Sequence, residues 1–246
     1  MKAVVLGATR GMGRALARKL AERGDSVAVL GRDSAELERS GADLRARGAP
    51  GIRVATIACD LEKPDGFKAA LDAAEDALLG LDTVIVTAGL FATQEALEAD
   101  PALLARVLTV DFSNTVLFCE EARKKLLGRG GGTLCVFSSV AGDRGRKPVV
   151  LYGAAKAGLS RYLEGLDHRY RGQGLKTVCV KPGFVRTGMT EGLKAPPFAG
   201  EPEAVADQVL TAIDLGLPEV YAPAMWGLVM GVIKGLPRFV MRRVGF

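Results

Sequence analysis

Residues 3–13 read AVVLGATRGMG, an apolar run that ends in glycines at positions 7, 11 and 13. Ala3–Leu6 is the run expected of a buried strand, and Gly13–Glu22 (GRALARKLAE) repeats its apolar residues at helical spacing. Glycines between a strand and a helix let the backbone turn sharply and approach a phosphate, which then meets the unpaired N–H groups of the helix N-terminus. A tight turn with no ligand needs the same residues, but strand before and helix after favour a dinucleotide. Gly7, Thr9, Arg10, Gly11, Met12 and Gly13 are the residues so placed.

Outward from this stretch, further strands are expected at Ser26–Leu30, Ile52–Ala58, Thr83–Thr87, Thr133–Phe137, Lys176–Lys181 and Val220–Tyr221. Longer segments of period 3.6 lie between them, such as Ser34–Arg47 and Asp65–Leu79. Apolar strands alternating with helices predict a parallel sheet covered on both faces. The expected fold is α/β: a Rossmann-type doubly wound sheet of about seven strands, with ligands beyond the carboxyl ends of the strands. No repeat or low-complexity linker divides residues 1–246, so a single domain is expected.

Composition narrows the function. Of 246 residues, 48% are hydrophobic and 25% charged, enough for a full core. The net charge of +5 is modest, no basic run reaches five residues and aromatics are 6%, so nucleic acid is not an expected partner. Cys59, Cys119, Cys135 and Cys179 are widely separated, and His168 is the sole histidine. A zinc site or a Ser-His-Asp triad is therefore not expected, and free buried thiols in a reducing compartment are. The N-terminus enters a strand with no signal-peptide core, and the chain reads as cytoplasmic.

Leu151–Gly158 reads LYGAAKAG. On a helix, Tyr152 and Lys156 share one face about a turn apart. A free phenol has a pKa of about 10, and a lysine ammonium beside it favours the phenolate. An ordinary surface helix carries the same short pattern by chance, so its weight comes from context.

That context resembles the short-chain dehydrogenase/reductase family. The GxxxGxG loop at the N-terminus and the later YxxxK pair are joined, in register, by four further matches along nearly the whole chain. Asp60, with Leu61, closes the third strand where the family's acid contacts adenine. Thr87-Ala88-Gly89 follows the fourth strand, in place of the commoner Asn-Asn-Ala-Gly. Ser138-Ser139 ends the fifth, and Pro182-Gly183-Phe184-Val185-Arg186-Thr187 follows the sixth. The resemblance implies that Ala88, Gly89, Pro182, Gly183, Val185 and Thr187 contact the cofactor. It also implies that Ser139 donates to the substrate oxygen, Tyr152 is the acid/base, and Lys156 lowers its pKa and holds the nicotinamide ribose. The bland role of Ser139 is that of a turn residue after a strand.

An NAD enzyme usually ends its second strand with an acid. Here Gly31 and Arg32 stand there, and Arg10 sits in the glycine loop. Two guanidiniums suit a ribose 2′-phosphate, so NADP(H) is expected over NAD(H). The alternative is that both face solvent, with Asp33 neutralising Arg32. At Asp111 the chain departs from the family, which has an asparagine supporting a proton relay to the lysine. An aspartate brings charge toward Lys156 or stays protonated, while Asn114 is placed to share the same helix face.

Gly188–Pro202 corresponds to the family's substrate loop. Met189, Leu193, Pro196, Pro197 and Phe198 are candidates to line a pocket, with Lys194 facing an anionic group. Residues 225–246 (MWGLVMGVIKGLPRFVMRRVGF) are apolar with interspersed bases and no acid. They suit the boundary of an anionic membrane at its inner face, or a partner subunit in a homodimer or homotetramer. The run GDRGRKPVVLYGAAKAG and this tail resemble the members acting as decaprenylphosphoryl-2-keto-ribose reductases. They imply a ketone on a polyprenyl-phosphate sugar; a long-chain lipid or sterol ketone fits the same traits. A non-catalytic dinucleotide-binding scaffold on this fold is the rival from another class.

Overall fold

The computed structural model describes residues 1–245; Phe246, the last residue of the tail singled out above, lies outside them. Strands β1 (Lys2–Leu6), β2 (Ser26–Gly31), β3 (Val54–Ala58), β4 (Thr83–Val86), β5 (Gly132–Phe137), β6 (Leu175–Pro182) and β7 (Glu219–Ala222) form one sheet. Their order is β3-β2-β1-β4-β5-β6-β7, every pair parallel. Helices α1 (Gly11–Glu22), α2 (Ser34–Arg47), α3 (Phe67–Leu78), α4 (Gln94–Ala99), α5 (Pro101–Leu108), α6 (Thr115–Gly128), α7 (Val150–Tyr170) and α8 (Pro202–Leu215) make the connections, and α9 (Met225–Gly235) and α10 (Arg238–Met241) follow β7.

Alternate residues of each strand feed opposite cores, as the pleat requires. Val4, Leu6, Val84, Val86, Leu134 and Val136 pack with Phe67 of α3, Phe118 of α6 and Leu159 of α7. Val5, Val27, Val29, Ile85, Cys135 and Val178 face the other way, onto Leu16 and Leu20 of α1 and Val205 and Val209 of α8. All four cysteines are free and buried. The Cys59 thiol is pushed up to about 12 by burial, so it is no thiolate at neutral pH.

Most boundaries lie within one or two residues of the sequence reading, and two of the shifts have a plain cause. β3 begins at Val54 because the chain is still turning at Gly51 (φ 88), and Ile52 N donates back to Ala49 O. The expected helix Asp65–Leu79 starts as a 3₁₀ turn at Pro64–Gly66 and is closed by Leu79 in the left-handed region (φ 54).

The order reverses between β1 and β4, and crevices in doubly wound sheets open where it does. The loops after β1, β4, β5 and β6 meet at that edge of the sheet and build the site.

Candidate active site

The first loop is a cradle in which side chains have no room. A Cβ on Gly13 would overlap the Gly7 carbonyl and the Thr87 hydroxyl, so α1 runs directly against β1 and β4. Gly7 itself holds φ 92, open to glycine at no steric cost. α1 has no side-chain cap at Arg10 and no acid in its first turn, which leaves its leading N–H groups for an anion. Cradle and uncapped helix together fit a dinucleotide pyrophosphate.

The second loop presents Ser139. Its Oγ accepts from Ala141 N at 3.1 Å, capping the 3₁₀ turn Val140–Gly142. The bland turn role is thus realised, and the hydroxyl donates only a long bond, 3.5 Å, to the Pro182 carbonyl, which a substrate oxygen in the cleft can replace. That turn lies hard against α7, where a Cβ on Gly142 would stand 2.6 Å from Ala157 N. Ser138 Oγ reinforces the join by donating to the Lys156 carbonyl at 2.9 Å. Two small contacts therefore bring Ser139, Tyr152 and Lys156 together.

Tyr152 packs edge-on against Phe91, ring centroids 5.2 Å apart, with Lys156 Nζ 5.6 Å from its ring centroid. Burial pushes the Tyr152 phenol up; Lys156 and Ser139 pull it down, and Asp111 adds a further upward push. The net direction is up. Lys156 tempers the phenol without making it a phenolate at neutral pH, a different balance from the sequence expectation.

Behind the lysine, a π-turn at Thr109–Asn114 joins α5 to α6 and carries Asp111. Asp111 is fully buried; Oδ1 accepts from Leu90 N at 2.7 Å and Oδ2 lies 3.6 Å from Lys156 Nζ. Burial raises the Asp111 carboxyl, while Lys156 and the Leu90 N–H oppose that rise. Burial likewise works against charge on Lys156, but Tyr152 and Asp111 outweigh it and hold the ammonium above its usual range. Asn114 does not share this face: its Nδ2 donates to the Leu61 carbonyl at 2.6 Å.

A cleft of about 560 Å³ opens in front of these groups. Ser139, Tyr152, Lys156, Met12, Gly89, Pro182, Gly183, Val185 and Thr187 line it, as do Met189, Leu193, Lys194 and Pro196 of the substrate loop. Pro197 is outside the lining, and Phe198 offers its carbonyl to Trp226 Nε1 at 3.1 Å. Such a chamber is of the size that takes a small molecule.

A family model described as short chain dehydrogenase matches residues 1–197. The chain belongs to the short chain dehydrogenase family. It is 33% identical over 243 residues to an uncharacterized oxidoreductase of Mycobacterium tuberculosis, covering 98% of this chain and 96% of that protein. It is 34% identical over 196 residues to the cis-4-hydroxycyclohexanecarboxylate dehydrogenase of Sinomonas cyclohexanicum, covering 78% of this chain and 76% of that one. A solved short-chain type dehydrogenase/reductase from Mycobacterium ulcerans superposes with a TM-score of 0.81 at 22% identity, covering 89% of this chain and 86% of that one. This short chain dehydrogenase is therefore an oxidoreductase acting between CH–OH and C=O, of a family that uses NAD(P)(H).

Other expected cofactor residues of this dehydrogenase lie farther along the sheet edge, outside the cleft. Arg32 Nη1 pairs with Glu62 Oε1 at 3.1 Å, and Arg10 Nη2 stands 3.7 Å from Glu36 Oε1; both arginines are mostly exposed. Asp33 does not neutralise Arg32, because it caps α2 by accepting from Glu36 N. Asp60 accepts from Glu62 N at 3.0 Å within its own turn, and the Leu61 side chain belongs to the core. Ala88 donates its N–H to the Leu6 carbonyl at 3.1 Å, and the Thr9 carbonyl is held by Arg14.

Sequence reasoning missed Glu62, Glu36, Arg146 and Trp226. The two acids carry no local motif, since each meets its arginine only through the fold. Trp226 was visible only as part of the tail, and Arg146 only as one base in GDRGRK.

Proposed function

We propose that this protein reduces a ketone on an apolar or lipid-linked substrate with NADP(H), Tyr152 giving the proton and Ser139 the second hydrogen bond to the substrate oxygen. Lys156 tunes Tyr152 and holds the nicotinamide ribose. The observation that carries this reading is the convergence of Ser139, Tyr152 and Lys156 on one cleft whose rim includes Met12 of the glycine loop. When bound, NADP(H) supplies the hydride for the carbonyl carbon. Negative charge then grows on the carbonyl oxygen, where two hydroxyl donors meet it. A phenol whose burial keeps it protonated suits the acid of the reductive direction.

Gly7, Thr9, Arg10, Gly11, Met12 and Gly13 would hold the pyrophosphate and adenosine ribose. Asp60, Leu61, Ala88 and Gly89 would flank the adenine side, and Pro182, Gly183, Val185 and Thr187 the nicotinamide. Support for NADP(H) comes from Arg10 and Arg32 near the end of β2, where Gly31 stands in place of an acid. Their exposed pairs with Glu36 and Glu62 are weak enough for a 2′-phosphate to displace.

Leu90, Phe91, Val149, Met189, Leu193 and Trp226 in the cleft walls support an apolar substrate, and Lys194 supports an anionic one. A polyprenyl-phosphate keto-sugar combines both properties; a long-chain lipid or sterol ketone satisfies the first. The scaffold reading is disfavoured because serine, tyrosine and lysine are all retained.

The assembly we favour is a homodimer or homotetramer, supported by Leu108 of α5, Phe112 of the π-turn and Leu117 of α6, which are exposed. Leu228, Val232 and Phe239 point outward from the tail and support peripheral contact with the inner face of a membrane by a cytoplasmic protein.

The test is NADPH oxidation against a panel of ketones, with Tyr152→Phe beside the wild type. Loss of turnover by about 10²-fold or more, with NADPH binding retained, is expected of a lost general acid. Substantial residual turnover would remove Tyr152 from the mechanism.

A further inference from the structure

Three bases crowd the loop between Ser139 and Tyr152, and two of them hold the tail. Arg144 Nη2 donates to the Leu236 carbonyl at 2.8 Å, and Lys147 Nζ to the Arg242 carbonyl at 2.7 Å. Arg146, between them, does neither. It lines the cleft together with Ser139 and Tyr152, its Nε is buried without a hydrogen-bond partner, and among the described residues it makes no ion pair. Asp143, the one acid whose charge reaches it, is engaged elsewhere. Asp143 Oδ1 takes Lys181 Nζ at 2.7 Å, and Oδ2 accepts the Tyr221 hydroxyl at 2.7 Å. Glu95, the acid that shares the lining, is exposed in the first turn of α4, where water solvates it.

A half-buried guanidinium left unpaired is costly, and such unmatched charge in a cleft marks a place that a ligand completes. Arginine also has a defined ligand geometry. Its planar fork matches the two oxygens of a carboxylate or phosphate, which a lysine ammonium does not.

We propose that Arg146 is the specificity-determining anchor of the substrate, binding an oxyanion (a carboxylate or a phosphate ester) carried by the ketone whose carbonyl meets Ser139 and Tyr152. The assignment rests on this cleft being the substrate site of a ketone reductase. It adds the second point of attachment: carbonyl at one end, oxyanion at the other, apolar body between. Lys194, on the substrate-loop side of the chamber, is exposed and plays the lesser part.

Trp226 is the sole tryptophan and lines the same cleft, so its fluorescence reads occupancy without turnover. Cyclohexanecarboxylate, cyclohexyl phosphate and neutral cyclohexanecarboxamide would be titrated into the full chain with NADP⁺ present. At least one anion should bind about tenfold or more tighter than the amide, as a charge-assisted pair implies. Whichever anion binds tighter names the source, carboxylate or phosphate ester. Arg146→Gln should reduce the anion-to-amide ratio toward one, and Arg146→Lys should leave it intermediate, a second reading should the glutamine variant fail to fold. Equal binding of anions and amide by the wild type would overturn the proposal. So would a preference that survives in Arg146→Gln and disappears in Lys194→Gln. NADPH oxidation with 4-oxocyclohexanecarboxylate separates the two ideas: charge-selective binding without turnover on any ketone counts against ketone reduction and leaves the anchor standing.

Discussion

The Asp111 carboxylate lies 3.6 Å from the Lys156 ammonium, with both side chains shut away from water. That separation is too long for a strong hydrogen bond and short enough for strong electrostatic coupling in a buried site. Gly89 completes the arrangement, since a Cβ there would stand 3.1 Å from Asp111 Oδ1 and 3.4 Å from Lys156 Nζ. Asp111 therefore acts on Tyr152 by two routes. Its charge raises the phenol directly, and it supports the charge of the lysine that lowers it, so the two effects oppose each other.

Replacing Asp111 by Asn removes that upward push while leaving an oxygen to accept from Leu90 N. Ketone reduction needs a protonated phenol, so activity holds below the Tyr152 pKa and falls as pH rises through it. With the pKa lowered, the alkaline fall in kcat/KM should begin at lower pH than in the wild type. An unchanged profile would detach Asp111 from the acid. Asn114→Ala is the contrast: losing the bond to the Leu61 carbonyl should cost about 1–3 kcal/mol of stability by chemical denaturation, with no shift in the profile.

Cofactor choice should turn on Arg32. In Arg32→Asp, the KM for NADPH should rise far more than that for NADH, by about tenfold or more, because a charge-assisted pair becomes a repulsion. Glu62 supplies the reciprocal experiment. It holds Arg32 and is itself shared with Arg106 at 2.7 Å, so Glu62→Gln frees the guanidinium and should tighten NADPH relative to NADH. Parallel changes for the two cofactors in both variants would sink the assignment.

Much of this was legible because the informative signals are local. The glycine loop, the strand ends and the Tyr152–Lys156 spacing each depend on neighbours a few residues away. What was not legible depends on distance in sequence. Lys181, Asp143, Tyr221 and Lys234 form one polar network from four separate stretches, with Lys234 Nζ 3.1 Å from the Tyr221 hydroxyl. No periodicity announces it. The balance on Tyr152 has the same cause: a YxxxK pair reveals the lysine that lowers the phenol but not the burial that opposes it.

The tail divides into two faces. Met230 and Ile233 are buried against Val140 and Tyr221, while Leu228 and Val232 are 70% and 68% exposed. Lys234 donates to the Tyr221 hydroxyl but stays exposed, so it adds to the outward charge of Arg238, Arg242 and Arg243. Leu228→Glu with Val232→Glu should abolish sedimentation with vesicles containing anionic phosphatidylserine and leave thermal stability nearly unchanged, since neither residue supports the core. Retained vesicle binding, or a change in oligomer size by light scattering instead, would assign the stripe to a partner subunit.

The contact between α1 and the first loop yields the last expectation. Gly13→Ala places a methyl group on the Gly7 carbonyl and the Thr87 hydroxyl, neither of which can withdraw. Gly7 is fixed by its N–H to the Leu30 carbonyl at 2.9 Å, and Thr87 Oγ1 by its own bond to the Leu6 carbonyl at 3.0 Å. Relief must come from α1 moving off the sheet, which opens the core around Leu16 and Leu20 and displaces the helix N-terminus. Overpacking of this kind costs about 1–3 kcal/mol, so Tm should fall by several degrees. NADPH affinity should fall with it, measured by the cofactor's own fluorescence, because one displacement causes both. A variant of normal Tm and normal NADPH affinity would mean that α1 does not bear on the loop as closely as these contacts require.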